Sequence, residues 1–328
     1  MICIALLESP QGRATEGAET LLEFLVDFVD ALRESRIIAA MNHKELGKSG
    51  KLLPEIALGT WRYGGGVEPL RKGVELGAFF LDTAESYGSE AVVGEAIRGI
   101  RERVFIATKV SPANLRRSDL LKAAEQSLLR LKIDHIDLYQ IHGPNPEIPI
   151  EESMGALEEL VDAGKVRFIG VSNFTLKELM RAQAAMRKYP IVSNQVGYSL
   201  VDRTIERDLL SHCQKNGITI LGYSPLARAL PNILKKDKHG VLTRIAAETA
   251  KTEAQIALNW CIAKDGVIAI TKSNSVDRVA EACRASGWRL SGDQLAMLDK
   301  GIRFRQRRQT EIALRRSARR LLDWLGNR

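Results

Sequence analysis

Short apolar runs recur along the chain from residue 56, each closing on polar residues. They are "IALGT" at 56, "FFLD" at 79, "VFIATK" at 104, "IDLYQIH" at 136, "VRFIGVSN" at 166, "IVSNQ" at 191, "ITILGYS" at 218 and "VIAITKS" at 267. Runs of this length, bounded by polar or turn residues, predict buried strands. Between them lie stretches of helical periodicity. In "SDLLKAAEQSLLR", Leu120, Leu121, Ala124 and Leu128 share a face, and Ser118 and Asp119 are placed to cap the start. The runs begin 23 to 32 residues apart, about one strand–helix unit, except for the last gap of 49, which has room for an additional helix.

Eight strands alternating with helices predict an α/β fold, a (β/α)8 TIM barrel. A doubly wound sheet is the alternative, but no G-x-G-x-x-G follows the first strand. Upstream, "LGKSGKLLPE" at 46–55 sets two glycines between apolar pairs and predicts a hairpin. Residues 1–40 fit no barrel unit, although Leu21, Leu25, Phe28 and Leu32 fall on one helical face. The expected division is an N-terminal extension over 1–40, a barrel over 41–300 and a tail over 301–328.

Composition narrows the class. The chain is 45% hydrophobic and 27% charged, which is globular. No apolar run approaches the roughly 20 residues that span a bilayer, and the start lacks the basic segment of a secretory signal. Cys3, Cys213, Cys261 and Cys283 show no metal-ligand spacing, so reduced thiols in a cytoplasmic protein are expected, with no metal. Of the net charge of +8, the tail supplies +7, from nine arginines against Glu311 and Asp323. The body is nearly neutral and gives no reason to expect nucleic acid.

In a barrel of this kind chemistry sits at the C-terminal strand ends. Those ends carry Asp82, Lys109, His142, Ser172–Asn173, Gln195, Tyr223–Ser224 and Lys272–Ser273, with Tyr87 five residues beyond Asp82. A free phenol has a pKa of about 10, so an ammonium at Lys109 is expected to lower that of Tyr87. Asp82 is expected to pair with Lys109, and His142 to donate a hydrogen bond to a substrate oxygen. Alone, each has a plainer role, as a turn, a salt-bridge partner or a core histidine. Together, at consecutive strand ends, they describe a proton-transfer site. Lys272 and Ser273 with Arg278 nearby are either an anion site or a solvated charged face.

The chain also resembles the aldo-keto reductases, in their prokaryotic form, over about residues 41–300. The motifs are "LGTW" (58–61), "DTAESYG" (82–88), "ATKV" (107–110), "LYQIHGPN" (138–145), "GVSNF" (170–174), "NQVGYS" (194–199), "GYSPLA" (222–227) and "KSNSVDRVAEA" (272–282). The resemblance implies an oxidoreductase that transfers hydride from NADPH to an aldehyde or ketone. Tyr87 would protonate the oxygen, Asp82 and Lys109 would tune it, and His142 would orient the carbonyl.

By the same resemblance Ser172, Asn173 and Gln195 match nicotinamide-carboxamide positions, and Tyr223 the ring that stacks on it. Gly59, Thr60, Trp61 and Asp82 match cofactor positions, with Trp61, Tyr87 and His142 facing substrate. Ser224, Pro225 and Leu226 match the pyrophosphate loop. Lys272, Ser273, Asn274, Ser275, Arg278 and Glu281 match the site for the adenosine 2′-phosphate end, which implies NADPH in preference to NADH. Three positions depart from the family pattern. Gly143 stands where tryptophan is frequent, Ala282 where asparagine is common, and Thr271 where proline is often found. The first, with the short loop "GPNPEIPI", implies an open substrate pocket.

Two questions stay with the chain's ends. Either Met41 is the natural initiator or residues 1–40 form a true N-terminal helix. In the tail, Leu314, Ala318, Leu321 and Leu325 share a helical face, which points to packing on the barrel or, as the sharper option, to contact with a membrane surface or an acidic partner through the arginines. Other classes also remain: a regulatory or sensor protein that holds NADPH on the same barrel with little turnover, and an adaptor driven by the tail.

Overall fold

The computed structural model describes residues 41–308 and 311–312. A two-stranded antiparallel hairpin comes first, β1 (His43–Glu45) against β2 (Leu52–Pro54). Its first arm lies just upstream of the expected 46–55 stretch. Polar "HKE" carries no strand signal of its own and is held by its pairing with β2.

Eight parallel strands then close a barrel: β3 (Ile56–Gly59), β4 (Phe80–Asp82), β5 (Phe105–Val110), β6 (Ile136–Ile141), β7 (Val166–Ser172), β8 (Ile191–Gly197), β9 (Thr219–Tyr223) and β10 (Val267–Thr271). Each strand pairs with the next, and β10 pairs with both β9 and β3. All eight coincide with the apolar runs. Parallel strands are covered on both faces, so they read as continuous apolar segments; every residue of β5 and β6 is buried.

The core has two layers. Ala57, Phe80, Phe105, Ala107, Leu138, Val192, Leu221 and Ile268 fill the interior, joined by Leu46 and Leu53 from the hairpin. Both hairpin leucines are fully buried, so the hairpin stoppers the barrel. Each contributes about 2 kcal/mol of apolar burial. The Lys44 ammonium fastens the stopper by donating to the carbonyls of Ile262, Lys264 and Val267 at 2.5, 2.9 and 2.8 Å. The second layer packs the helices on the outside of the strands.

The helix over Arg117–Leu131 buries Leu120, Ala124 and Leu128, but its cap differs from the expected one. The N-cap is Arg116, and Ser118 and Asp119 lie within the first turn. Glu152, from the following helix, takes the exposed Arg117 N–H at 2.9 Å, so a tertiary contact supplies what a local cap would have. The long gap before β10 holds three helices, Pro231–Leu234, Val241–Thr249 and Glu253–Ile262. The last of them starts on a capping box between Thr252 and Gln255.

Beyond the helix Gly292–Gly301, the described chain stays on the barrel. Ile302 is buried, and the Arg305 guanidinium donates twice to Asp202, at 2.9 and 2.7 Å. The helical faces expected over 21–32 and 314–325 lie outside the described residues. Among the described residues no helix is long and apolar enough to cross a membrane.

Candidate active site

The C-terminal strand ends surround a cavity of about 1430 Å3. Of the residues singled out in the sequence, Gly59, Trp61, Asp82, Tyr87, His142, Ser172, Asn173, Gln195, Tyr223, Ser224, Pro225, Leu226, Lys272, Ser273, Asn274, Ser275, Arg278 and Glu281 line it. Two do not. Lys109 is fully buried behind Asp82. Thr60 is also fully buried, and its hydroxyl donates to the Asp82 carbonyl at 3.1 Å, so it braces the strand end from outside the cavity.

Asp82 ends β4 and Lys109 lies near the end of the adjacent β5. The Lys109 ammonium donates to Asp82 Oδ2 and to the Thr83 carbonyl, both at 2.7 Å. Asp82 Oδ1 accepts from the Gln195 amide at 2.7 Å and the Gln140 amide at 3.5 Å. Gln140 was not anticipated. Its signal was a fully buried amide in the apolar strand "IDLYQI". A buried ion pair needs such further hydrogen bonds to offset desolvation.

Tyr87 closes a 3-10 turn, Glu85–Tyr87, that Gly88 ends in the left-handed region at φ 69°. A glycine there costs no Cβ strain. Glu85 pins the turn, accepting from Ser111 N at 2.5 Å and from the Asn114 amide at 3.0 Å. The Tyr87 hydroxyl lies 3.2 Å from His142 Nε2, the rings crossing edge to face. On the other side of the imidazole, Ser86 Oγ lies 3.4 Å from Nδ1. Ser86 was also missed, although its place beside Tyr87 was the available clue.

The electrostatics correct one expectation. The pKa of Tyr87 is raised, by burial first and then by the charge of Asp82 and by Tyr223. The Lys109 ammonium lies 4.9 Å from the centre of the Tyr87 ring, but its charge is engaged by Asp82. Lys109 itself is lowered by burial, with Asp82 pulling the other way. Burial and the Lys109 charge bring His142 down to about 4, so its imidazole is neutral at physiological pH.

Further round the rim, Asn173 adopts φ 62° and is held by its side chain. Its amide donates to the His142 carbonyl at 2.9 Å and to Ser172 Oγ at 3.1 Å, and its oxygen accepts from Tyr223 OH at 3.0 Å. After β10, Lys272 and Arg278 are exposed cations on the cavity wall. Ser273 Oγ accepts from Ser275 N at 3.0 Å and so shapes the turn between them. Asn274 accepts from Gly64 N at 3.2 Å. At Gly143 an added Cβ would meet only Pro112, at 3.7 Å, so the wall is open there.

The cavity is larger than the ~300–1,000 Å3 of a typical small-molecule pocket. It combines a phenol–imidazole pair, amides and a cationic edge, which suits a dinucleotide with a small substrate beside it. Among the described residues no cluster could hold a metal ion.

A sequence model of the Aldo/keto reductase family matches residues 55–303. Methylglyoxal reductase YeaE of Escherichia coli (strain K12) is 39% identical over 273 residues, covering 79% of this chain and 95% of that protein. The thermostable aldo-keto reductase Tm1743, solved with the inhibitor epalrestat, is 42% identical with a TM-score of 0.75, covering 79% of this chain and 99% of the other. An aldo-keto reductase from Klebsiella pneumoniae, solved with NADPH, is 36% identical with a TM-score of 0.77, covering 81% and 97%.

Proposed function

The chain belongs to the aldo/keto reductase family, and we propose that it reduces aldehydes and ketones to alcohols with NADPH, using Tyr87 as the proton donor. The observation that carries this reading is the 3.2 Å approach of the Tyr87 hydroxyl to His142 Nε2 on the cavity wall, with the Lys109–Asp82 pair behind. When bound, NADPH supplies a hydride to the carbonyl carbon. The carbonyl π pair then moves to oxygen, and this chain's task is to receive that oxygen and protonate it.

Tyr87 keeps its proton until that charge develops, because burial holds its pKa up. His142, being neutral, holds the Tyr87 hydroxyl through Nε2 and does not compete with it as an acid. As the Tyr87 proton leaves, the phenolate forms beside the Lys109–Asp82 pair, whose ammonium lies 4.9 Å from the centre of the ring. Positioned acids of this kind supply about 10²–10⁴-fold in rate.

Ser172, Asn173 and Gln195 would hold the carboxamide, with Tyr223 against the ring, and amides suit that role because each offers both donors and acceptors. Ser224, Pro225 and Leu226 would hold the pyrophosphate. Lys272, Ser273, Ser275 and Arg278 would take the 2′-phosphate, with Asn274 and Glu281 at the adenosine. The name of the Escherichia coli relative makes 2-oxoaldehydes such as methylglyoxal the first substrates to test.

The test is NADPH consumption against a panel of 2-oxoaldehydes, aldehydes and ketones. Turnover with at least one class is the expected result. Tight NADPH binding without turnover on any would instead support the sensor reading.

A further inference from the structure

Consecutive residues of one turn straddle a single imidazole. Ser86 Oγ faces His142 Nδ1 at 3.4 Å, and Tyr87 Oη faces Nε2 at 3.2 Å. We propose that Ser86 is a positioning residue that fixes His142 in its Nε2–H tautomer and thereby directs the Tyr87 proton toward the substrate oxygen. This rests on the reading of Tyr87 as the proton donor.

A neutral imidazole carries one N–H, and its place is set by what the other nitrogen meets. With Nε2 bare, the Tyr87 hydroxyl would donate to it, turning its only proton away from the substrate. With Nε2 protonated, the imidazole donates to Tyr87 Oη, and the phenolic proton is free to point at a carbonyl oxygen. The second arrangement requires Nδ1 to accept a hydrogen bond, and the Ser86 hydroxyl is the protein group placed to donate it. His142 is neutral at working pH, with its pKa near 4, so the choice of tautomer matters.

The geometry is held from both sides. Glu85 anchors the turn through Ser111 N and the Asn114 amide. The His142 backbone is fixed by Val110, which accepts from its N–H at 2.9 Å, and by the Asn173 amide on its carbonyl, also at 2.9 Å. Alanine at position 86 would leave Nδ1 to water, which donates and accepts equally well and therefore selects neither tautomer.

The test uses 15N-histidine-labelled full-length enzyme with NADPH bound, the His142 signal being the one of five lost in His142→Gln. Nε2–H is expected in the wild type and in Ser86→Thr, with a mixture in Ser86→Ala. In Ser86→Ala kcat should fall by about tenfold, a part of the full acid contribution, while the KM for NADPH holds, and Ser86→Thr should restore kcat. If Ser86→Ala keeps the wild-type tautomer and rate while Tyr87→Phe abolishes turnover, this proposal fails alone. If Tyr87→Phe turns over normally, the underlying assignment of the acid fails first.

Discussion

Lys109 has no exposed surface, and its charge is matched by one carboxylate, Asp82, supported by two glutamine amides. Replacing it with methionine strands the Asp82 charge in the wall, which should cost about 3–5 kcal/mol of stability. The double variant Asp82→Asn with Lys109→Met should recover much of that loss in denaturant titration while remaining inactive. Recovery of activity as well would contradict a role for the pair in tuning Tyr87. His142 gives a pH prediction. Its pKa is near 4 in the fold and about 6.5 when unfolded. Below about 6.5 the unfolded chain takes up a proton that the folded chain refuses. The stabilising contribution of the neutral imidazole is therefore complete above 6.5 and fades as pH falls toward 4. Reductase activity should show no break near 6.5 in a kcat/KM profile. At this scale the sequence picked out polar groups that the fold brings together, and misjudged how they are tuned. Asp82, Lys109 and His142 stood out as polar groups ending apolar runs, and Tyr87 by its place five residues beyond Asp82. The direction of the Tyr87 shift depends on burial and on which partner claims the Lys109 charge, and neither is written in spacing.

The elements were legible where burial is two-sided. All eight barrel strands read as apolar runs because parallel strands have no solvent face to interrupt them. The first hairpin arm, His43–Glu45, did not, since its residues are polar and its order comes from β2 and from the Lys44 contacts. The start of the helix Arg117–Leu131 was hidden for a similar reason, because Glu152 from another helix meets its first N–H. The hairpin also separates stability from chemistry. Leu53 fills the barrel interior and is not among the residues that line the strand-end cavity. Leu53→Ala should lower unfolding free energy by about 2–5 kcal/mol and leave kcat unchanged below the new melting point. A matching loss of kcat in the still-folded protein would show that the stopper also shapes the site.

For the molecule as a whole, the barrel sets polar strand ends around one rim, with the phenol–imidazole pair after β4 and β6 and exposed cations after β10. In the proposed function that arrangement ties cofactor choice to charge. NADPH should stabilise the protein by about 2.7 kcal/mol when present at a hundred times its Kd, and at equal concentration NADH should stabilise it less. Arg278→Ala should raise the KM for NADPH roughly tenfold or more, since a charge-assisted contact is worth about 1.5–3 kcal/mol. It should leave the KM for NADH nearly unchanged. Equal effects on the two cofactors would place Arg278 away from the 2′-phosphate.

The most direct test of the central claim is the rate of hydride transfer in a single turnover, wild type beside Tyr87→Phe, both saturated with NADPH and given the best substrate from the panel. A fall of about 10²–10⁴-fold in the variant, with its affinity for NADPH intact, is the predicted result. An unchanged rate would mean that the proton reaches the substrate oxygen from another group, and that the Tyr87–His142 pair does not serve the chemistry assigned to it.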